Sequence, residues 1–292
     1  MKKPLYGTLL LMLGFFIAMN PACNAQQEQK LTVVAYNVLL GFRENPTLLE
    51  QCVEWLQSEH PDIVSFEELN GFTQQSLSEL ARRYGHHYSV ILKEDGFPVG
   101  ITSKYPITDV ERVVKDMHHG YIYAKVNGYH VFALHLSPHN SNKRHEEIQR
   151  ILQRAAALPQ REPILVMGDF NAVSHADSQR YDTAERLKKA LEMESNHDYV
   201  FNLRDGKIDY RVTDALAAAG FSDTYALMNE GFTPSFPTKS FQGKDTYYGG
   251  PCRIDFIWVN AALADRCTRA EMVSNRYTHE ISDHYPVIAS FK

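Results

Sequence analysis

Apolar runs along this chain stop repeatedly on a polar side chain. Leu31-Thr-Val-Val-Ala-Tyr-Asn37 is rich in β-branched and aromatic residues and ends on Asn37, which predicts a strand. Asn45-Pro46 supplies a helix start, and Leu48, Leu49, Cys52, Val53 and Leu56 recur at helical spacing until His60-Pro61 interrupts them. Asp62-Ile-Val-Ser-Phe66 predicts a second strand that terminates in Glu67-Glu68, and a second amphipathic helix carries Leu77, Leu80, Ala81 and Tyr84 up to Gly85. Extended segments follow at 87–92, 99–103, 121–126 and 129–136. Asn127-Gly128 joins the last two and marks an antiparallel hairpin.

A helix over 141–158 turns Ile148, Ile151, Leu152 and Ala155 inward and leads into a strand at 163–168. Residues 172–250 are less regular, with one clear helix ending at Ala219-Gly220; long excursions of this kind carry specificity or mobility. Strand order returns at 253–259 and 283–291. Hairpins mixed with βα units, and no linker between them, predict one α/β domain over residues 26–292 with two packed sheets and helices outside.

Composition supports a large core: 44% of the 292 residues are hydrophobic. The opening MKKPLYGTLLLMLGFFIAMNPACNAQ places two lysines before a short apolar run and small residues, which reads as a signal peptide over residues 1–25. The protein is then expected to be exported, periplasmic or secreted, with no transmembrane helix after processing; lipid anchoring through Cys23 is the alternative. Processing removes Lys2 and Lys3 and no acid, so formal charge moves from −5 to −7. An acidic chain does not coat itself with polyphosphate, which argues against a processive duplex binder. The remaining Cys52, Cys252 and Cys267 are odd in number and are expected to be buried thiols.

The polar strand ends are the candidate chemistry: Asn37, Glu68, His135, Asp169 with Asn171, Asp255, and Asp283 with His284. Asp169 and Asn171 are two apart, so an extended backbone would point both the same way. Each residue alone is an ordinary turn former, but several acids and amides at one edge are costly without compensation and call for a hard cation, Mg²⁺ or Mn²⁺ rather than Zn²⁺.

The segments PDIVSFEELN, FALHLSPH, VMGDFNA, RIDFIWVN and SDHYPV, with ITSKYPI and the early Asn37, resemble in order the motifs of the endonuclease/exonuclease/phosphatase superfamily, with its deoxyribonuclease-I-like fold. The resemblance covers nearly all of the mature chain. It implies a four-layer sandwich, two mixed β-sheets packed face to face and flanked by helices, and metal-dependent phosphoester hydrolysis. It further implies metal ligation by Asn37, Glu68 and Asp283. Asp169 would orient or deprotonate water, Asn171 would hold that water or a phosphate oxygen, and His135 would contact the phosphate. Asp255 would fix the tautomer of His284, the general acid-base.

Two departures stand out. Glu67 replaces the family's usual Gln and is expected to face away from Glu68, as a surface or supporting acid. Leu39 stands where some DNA-repair members carry an acid, which weakens an abasic-site reading. His118, His119, His139, His145 and His279 are expected to be loop or helix-surface residues, with His139 the first to test. The expected substrate is a small-molecule or lipid-headgroup phosphoester ahead of DNA, acted on by a monomer. An extracellular nuclease and a non-catalytic binding module of the same fold are the alternatives.

Overall fold

The computed structural model describes residues 1–2, 30–243 and 246–292, so most of the segment expected to be a signal peptide, Cys23 included, lies outside the described residues. Fourteen strands are described: β1 (Leu31–Asn37), β2 (Ile63–Glu67), β3 (Tyr88–Ile91), β4 (Gly100–Ser103), β5 (Ile107–Val113), β6 (Gly120–Val126), β7 (Tyr129–His135), β8 (Ile164–Asp169), β9 (Leu203–Arg204), β10 (Lys207–Ile208), β11 (Phe221–Asp223), β12 (Asp255–Asn260), β13 (Cys267–Met272) and β14 (Val287–Phe291). They form two six-stranded sheets, ordered β13-β14-β1-β2-β4-β3 and β11-β12-β8-β7-β6-β5, with β9 and β10 as a separate small hairpin.

Pairing explains why the polar ends converge. β1 runs parallel to β2, setting Asn37 opposite Glu67, and β7 runs parallel to β8, setting His135 opposite Asp169. β12 is antiparallel to β8, so its first residue, Asp255, lies opposite the last residue of β8. Three strands of one sheet and two of the other therefore present their functional ends at the same edge, whichever direction each runs.

Alternation along the strands does the rest. Val33, Ala35, Ile101, Val131, Met167 and Ile257 form the core between the sheets. The opposite face of the first sheet packs Tyr36 and Phe66 against Trp55 of helix α1 (Pro46–Glu59) and Leu77 of α2 (Gln74–Arg83). Phe132 and Val166 of the second sheet pack against Ile148 of α3 (Ser141–Ala156), beside Leu216 of a further helix over Arg211–Ala218. These are the four layers. The predicted start of α1 holds: the Asn45 side chain accepts the Thr47 N–H at 2.9 Å with Pro46 in the first turn. Among the described residues no helix is long and apolar enough to cross a membrane. Cys52 and Cys252 are buried free thiols as expected, but Cys267, on the edge strand β13, is only half-buried.

His86 makes the fold acid-sensitive away from the site. Its ring is buried between the Thr102 hydroxyl, 2.9 Å from Nδ1, and the Pro61 carbonyl, 2.8 Å from Nε2. Burial pushes its pKa down to about 4. The unfolded chain binds this proton near pH 6.5, so the contribution is complete above that pH and is lost as pH falls toward 4. The loss amounts to about 3 kcal/mol. Urea unfolding of His86→Gln should show a shallower fall in stability between pH 7 and 4 than the parent; parallel curves would remove His86 as the cause.

Gly168 fixes the second sheet beside the site. Its φ is +136°, and a Cβ there would sit 2.1 Å from the Leu134 carbonyl oxygen and 2.9 Å from Glu67 Oε1. Gly168→Ala is expected to cost roughly 3 kcal/mol or more, read as a lowered urea midpoint; an unchanged midpoint would mean that the backbone yields here.

Candidate active site

Asp169 is the hub of the edge. It ends β8, is 1% exposed, and its Oδ1 accepts the Asn171 N–H at 2.8 Å. Its Oδ2 accepts from Asn37 Nδ2 at 3.0 Å and lies 3.5 Å from His135 Nε2 and 3.9 Å from His284 Nε2. The same Asn37 nitrogen donates to Glu68 Oε1 at 3.1 Å. One amide therefore ties a carboxylate of each sheet together. Asn37 Oδ1 accepts the Leu39 N–H at 3.1 Å, so in this arrangement the carboxamide bridges carboxylates rather than offering its oxygen to them.

His284 precedes β14 in a loop. Its Nδ1 meets Asp255 Oδ2 at 2.8 Å, which leaves Nε2 directed at Asp169. The Asp255 N–H donates to Ser235 Oγ at 3.1 Å, and two residues earlier Arg253 is a fully buried guanidinium held by Asp177 at 2.7 Å and Asp223 at 2.5 Å. Those partners are 76 and 30 residues away in sequence, and no local pattern announces them.

Asn171 departs from the alternation expected of it. The strand stops at Asp169 and Asn171 adopts a φ of +47°, so the same-face argument for i and i+2 does not apply. Its Nδ2 donates to the Leu136 carbonyl at 3.1 Å instead, and its own carbonyl accepts from the buried Tyr248 hydroxyl at 2.7 Å. Glu67, expected to be a surface or supporting acid, takes the second place: both faces of β2 are covered and it is 0% exposed. Its Oε1 accepts from Ser65 Oγ at 2.5 Å, while Oε2 has no hydrogen-bond partner among the described residues.

Electrostatics follow from this burial. Glu67 is raised well above the carboxylate range, by burial first and then by Asp255 and Asp169, against the Ser65 hydrogen bond. Asp169 is pushed up to about 7, chiefly by burial and the Asp255 charge. Burial opposes charge on His284, yet Asp255 and Asp169 outweigh it and hold the imidazolium well above the ordinary range. His135 shifts the other way: burial and the neighbouring imidazoles hold it neutral. The edge thus combines a carboxyl that titrates near neutrality, a charged imidazole and a neutral one.

Backbone geometry also serves the site. Leu39, Leu40, Gly41, Phe42, Arg43 and Glu44 all have φ between +44° and +63°, a left-handed helical turn between β1 and α1. It delivers the Leu40 N–H to Glu68 Oε2 at 3.1 Å and the Gly41 N–H to the Glu68 carbonyl at 2.7 Å. Gly41 is needed there because a Cβ would sit 2.1 Å from the Asn70 carbonyl oxygen.

Six of the eight expected residues, Glu68, His135, Asp169, Asn171, Asp283 and His284, line one cavity of about 310 Å³; Asn37 and Asp255 support it from behind. His118, His119 and His139, expected on loop surfaces, line it too. The fold, not the sequence neighbourhood, brings them there. His145 is half-buried on α3, and His279 Nδ1 meets the Tyr285 hydroxyl at 2.9 Å.

The sequence pattern of the Endonuclease/Exonuclease/phosphatase family matches residues 34–284. The chain belongs to that family. Similar proteins include exodeoxyribonuclease III of Haemophilus influenzae, 24% identical over 291 residues, which span 89% of this chain and 99% of that protein. Among solved structures, an AP endonuclease from Archaeoglobus fulgidus superposes with a TM-score of 0.65 at 21% identity, covering 90% of this chain and 99% of that one. A 3′ phosphatase from Neisseria bound to product DNA hairpin superposes at 0.61 and 19%, with coverage of 90% and 99%. Like other members of the endonuclease/exonuclease/phosphatase family, the chain is a hydrolase of phosphoester bonds.

The family uses divalent metals, and the donor chemistry here fits one. Glu68, Asp169 and Asp283 bring three carboxylates to a cavity whose described lining holds no Lys or Arg, a donor set suited to a hard cation. A second grouping, Asp169, Asp255 and His284, has ligand atoms within 4.8 Å of one another. There Asp255 is already engaged by His284, so this trio is better described as an imidazole oriented toward an acid.

Proposed function

We propose that this protein is an exported, Mg²⁺-dependent phosphoesterase, acting as a monomer on a small-molecule or lipid-headgroup phosphoester in preference to DNA, with Mn²⁺ as the alternative ion. The observation that carries this reading is the cavity itself: small, floored by carboxylates, walled by imidazoles, and without lysine or arginine in its described lining. A polynucleotide binder gains most of its affinity from Lys and Arg along several phosphates, whereas a single phosphate needs only the cation and nearby donors.

In this reading Glu68 and Asp283 would hold the cation, and Asn37 fixes Glu68 against Asp169. A bound Mg²⁺ would neutralise phosphoryl oxygens and offer a water position. Asp169 orients and deprotonates the attacking water. His284, held by Asp255, donates to the phosphoryl group or its leaving oxygen, and neutral His135 donates to a phosphate oxygen. The second Nδ2 hydrogen and the oxygen of Asn171 remain for that water or phosphate. Extracellular cleavage of DNA is the second reading, favoured by the nuclease and DNA-phosphatase names among the relatives.

Purified protein assayed with bis-p-nitrophenyl phosphate, p-nitrophenyl phosphate and plasmid DNA decides between them. We expect turnover of the small esters with Mg²⁺ and none with EDTA. Cleavage of plasmid alone would overturn the substrate ranking, and no hydrolysis with any divalent ion would overturn the mechanism.

A further inference from the structure

We propose that Arg144 and Tyr248 are positioning residues for the hydrolysis, a buried relay that holds Asn171 in the orientation the transition state needs. Both act through Asn171. The relay rests on the role given above to the Asn171 carboxamide and extends it to the groups that aim it.

Asn171 is held from outside its own strand. Its φ of +47° lies in the left-handed region, and β8 has already ended at Asp169, so its buried carbonyl has no strand partner. Such a carbonyl needs a donor from elsewhere. It receives the Tyr248 hydroxyl, 2.7 Å away and 77 residues distant in sequence.

Tyr248 is fixed in turn. Its oxygen accepts from Arg144 Nη2 at 3.2 Å while its single proton goes to Asn171, so the hydroxyl is engaged on both sides. A cation donating to that oxygen polarises the O–H and strengthens its bond to the carbonyl beyond. Arg144 is 1% exposed, and the partners of its guanidinium are the Ser137 carbonyl, Asn202 Oδ1 and Tyr248. None of the three is a carboxylate that would blunt this polarisation.

A second path reaches the same residue. Helix α3 grips the Ser137 backbone from both sides: Arg144 Nη1 donates to its carbonyl at 2.9 Å, and Glu147, three residues further on and 0% exposed, accepts its N–H at 2.8 Å. Leu136, the residue before, supplies the carbonyl that takes Asn171 Nδ2 at 3.1 Å. One guanidinium thus governs both the backbone and the side chain of Asn171. The excursion over 172–250 has a use here, because it brings Asn202 and Tyr248 to Arg144 from 58 and 104 residues away.

The test is a double-mutant cycle at saturating Mg²⁺ on whichever ester of the panel above is turned over fastest. Tyr248→Phe and Arg144→Lys are each made alone and in an Asn171→Ala background, with the urea midpoint of every variant measured alongside. Phe keeps the ring that lines the cavity, and Lys keeps the charge without the planar fork. Asn171→Ala is expected to lower kcat about 10²-fold. Tyr248→Phe should lower it about tenfold and Arg144→Lys about fivefold or more, with KM within about twofold of the parent. In the Asn171→Ala background each should change kcat by less than about twofold, whereas a merely structural loss would carry its full penalty into both backgrounds. Full penalties there, a loss confined to KM, or single variants with parental kcat would overturn the relay and leave the role of Asn171 standing. Parental kcat in Asn171→Ala would remove that role and the relay with it. Should Arg144→Lys fail to fold, Tyr248→Phe decides alone.

Discussion

His284→Ala is expected to lower kcat on bis-p-nitrophenyl phosphate by about 10³-fold while leaving Mg²⁺ affinity within about twofold of the parent. His284 is placed to touch the phosphoryl group and not the cation: its Nδ1 is spent on Asp255 and its Nε2 looks toward Asp169. Removal leaves Asp255, which already has one oxygen without a partner among the described residues, with a second lost contact. A stability loss therefore accompanies the kinetic one, and His284→Gln, which restores a hydrogen-bonding side chain, separates the two. Should His284→Ala instead abolish calorimetric Mg²⁺ binding and retain a tenth of the turnover, the division of roles between imidazole and carboxylates would be wrong.

Glu68→Gln reverses the balance. Loss of the charge is expected to weaken Mg²⁺ binding on the order of 10²-fold, with activity recovering as Mg²⁺ is raised. Structure should survive the change, because a Gln side-chain oxygen still accepts from Leu40 or Asn37, as Glu68 does now. Calorimetric titration and an activity curve against Mg²⁺ check both statements. An unmoved Mg²⁺ dependence would transfer the cation to Asp169 and His284.

Much of this site was legible because strand ends are local events. An apolar run stopping on Asp169 or Asn37 can be read without knowing its neighbours, and motif order supplies the rest of the constellation. Edge elements were less visible. β5 alternates irregularly between exposed and half-buried positions, and β13 carries Thr268, Arg269 and Glu271, so neither has the continuous apolar signal of a central strand. The helix over Ala184–Asn196 buries only Ala190 and offers almost no inward stripe. Among chemical residues, Glu67 was left between surface and supporting roles because alternation tells which way a side chain points but not whether that face is covered. His118, His119 and His139 lie in loops, where no period exists; Glu147, which accepts the His118 and Ser137 N–H groups, looks like any surface acid of an amphipathic helix until α3 is docked.

The left-handed turn at 39–44 has a consequence for anyone who would engineer this protein. Five of its six residues have side chains that disfavour such a backbone, and Leu40 is also 44% exposed, so its apolar side chain contributes little in return. Selection for heat tolerance should accordingly return replacements by Gly or Asn at this spot. Because the Leu40 amide also grips Glu68, any hardier variant recovered that way must be checked for whether the carboxylate has drifted.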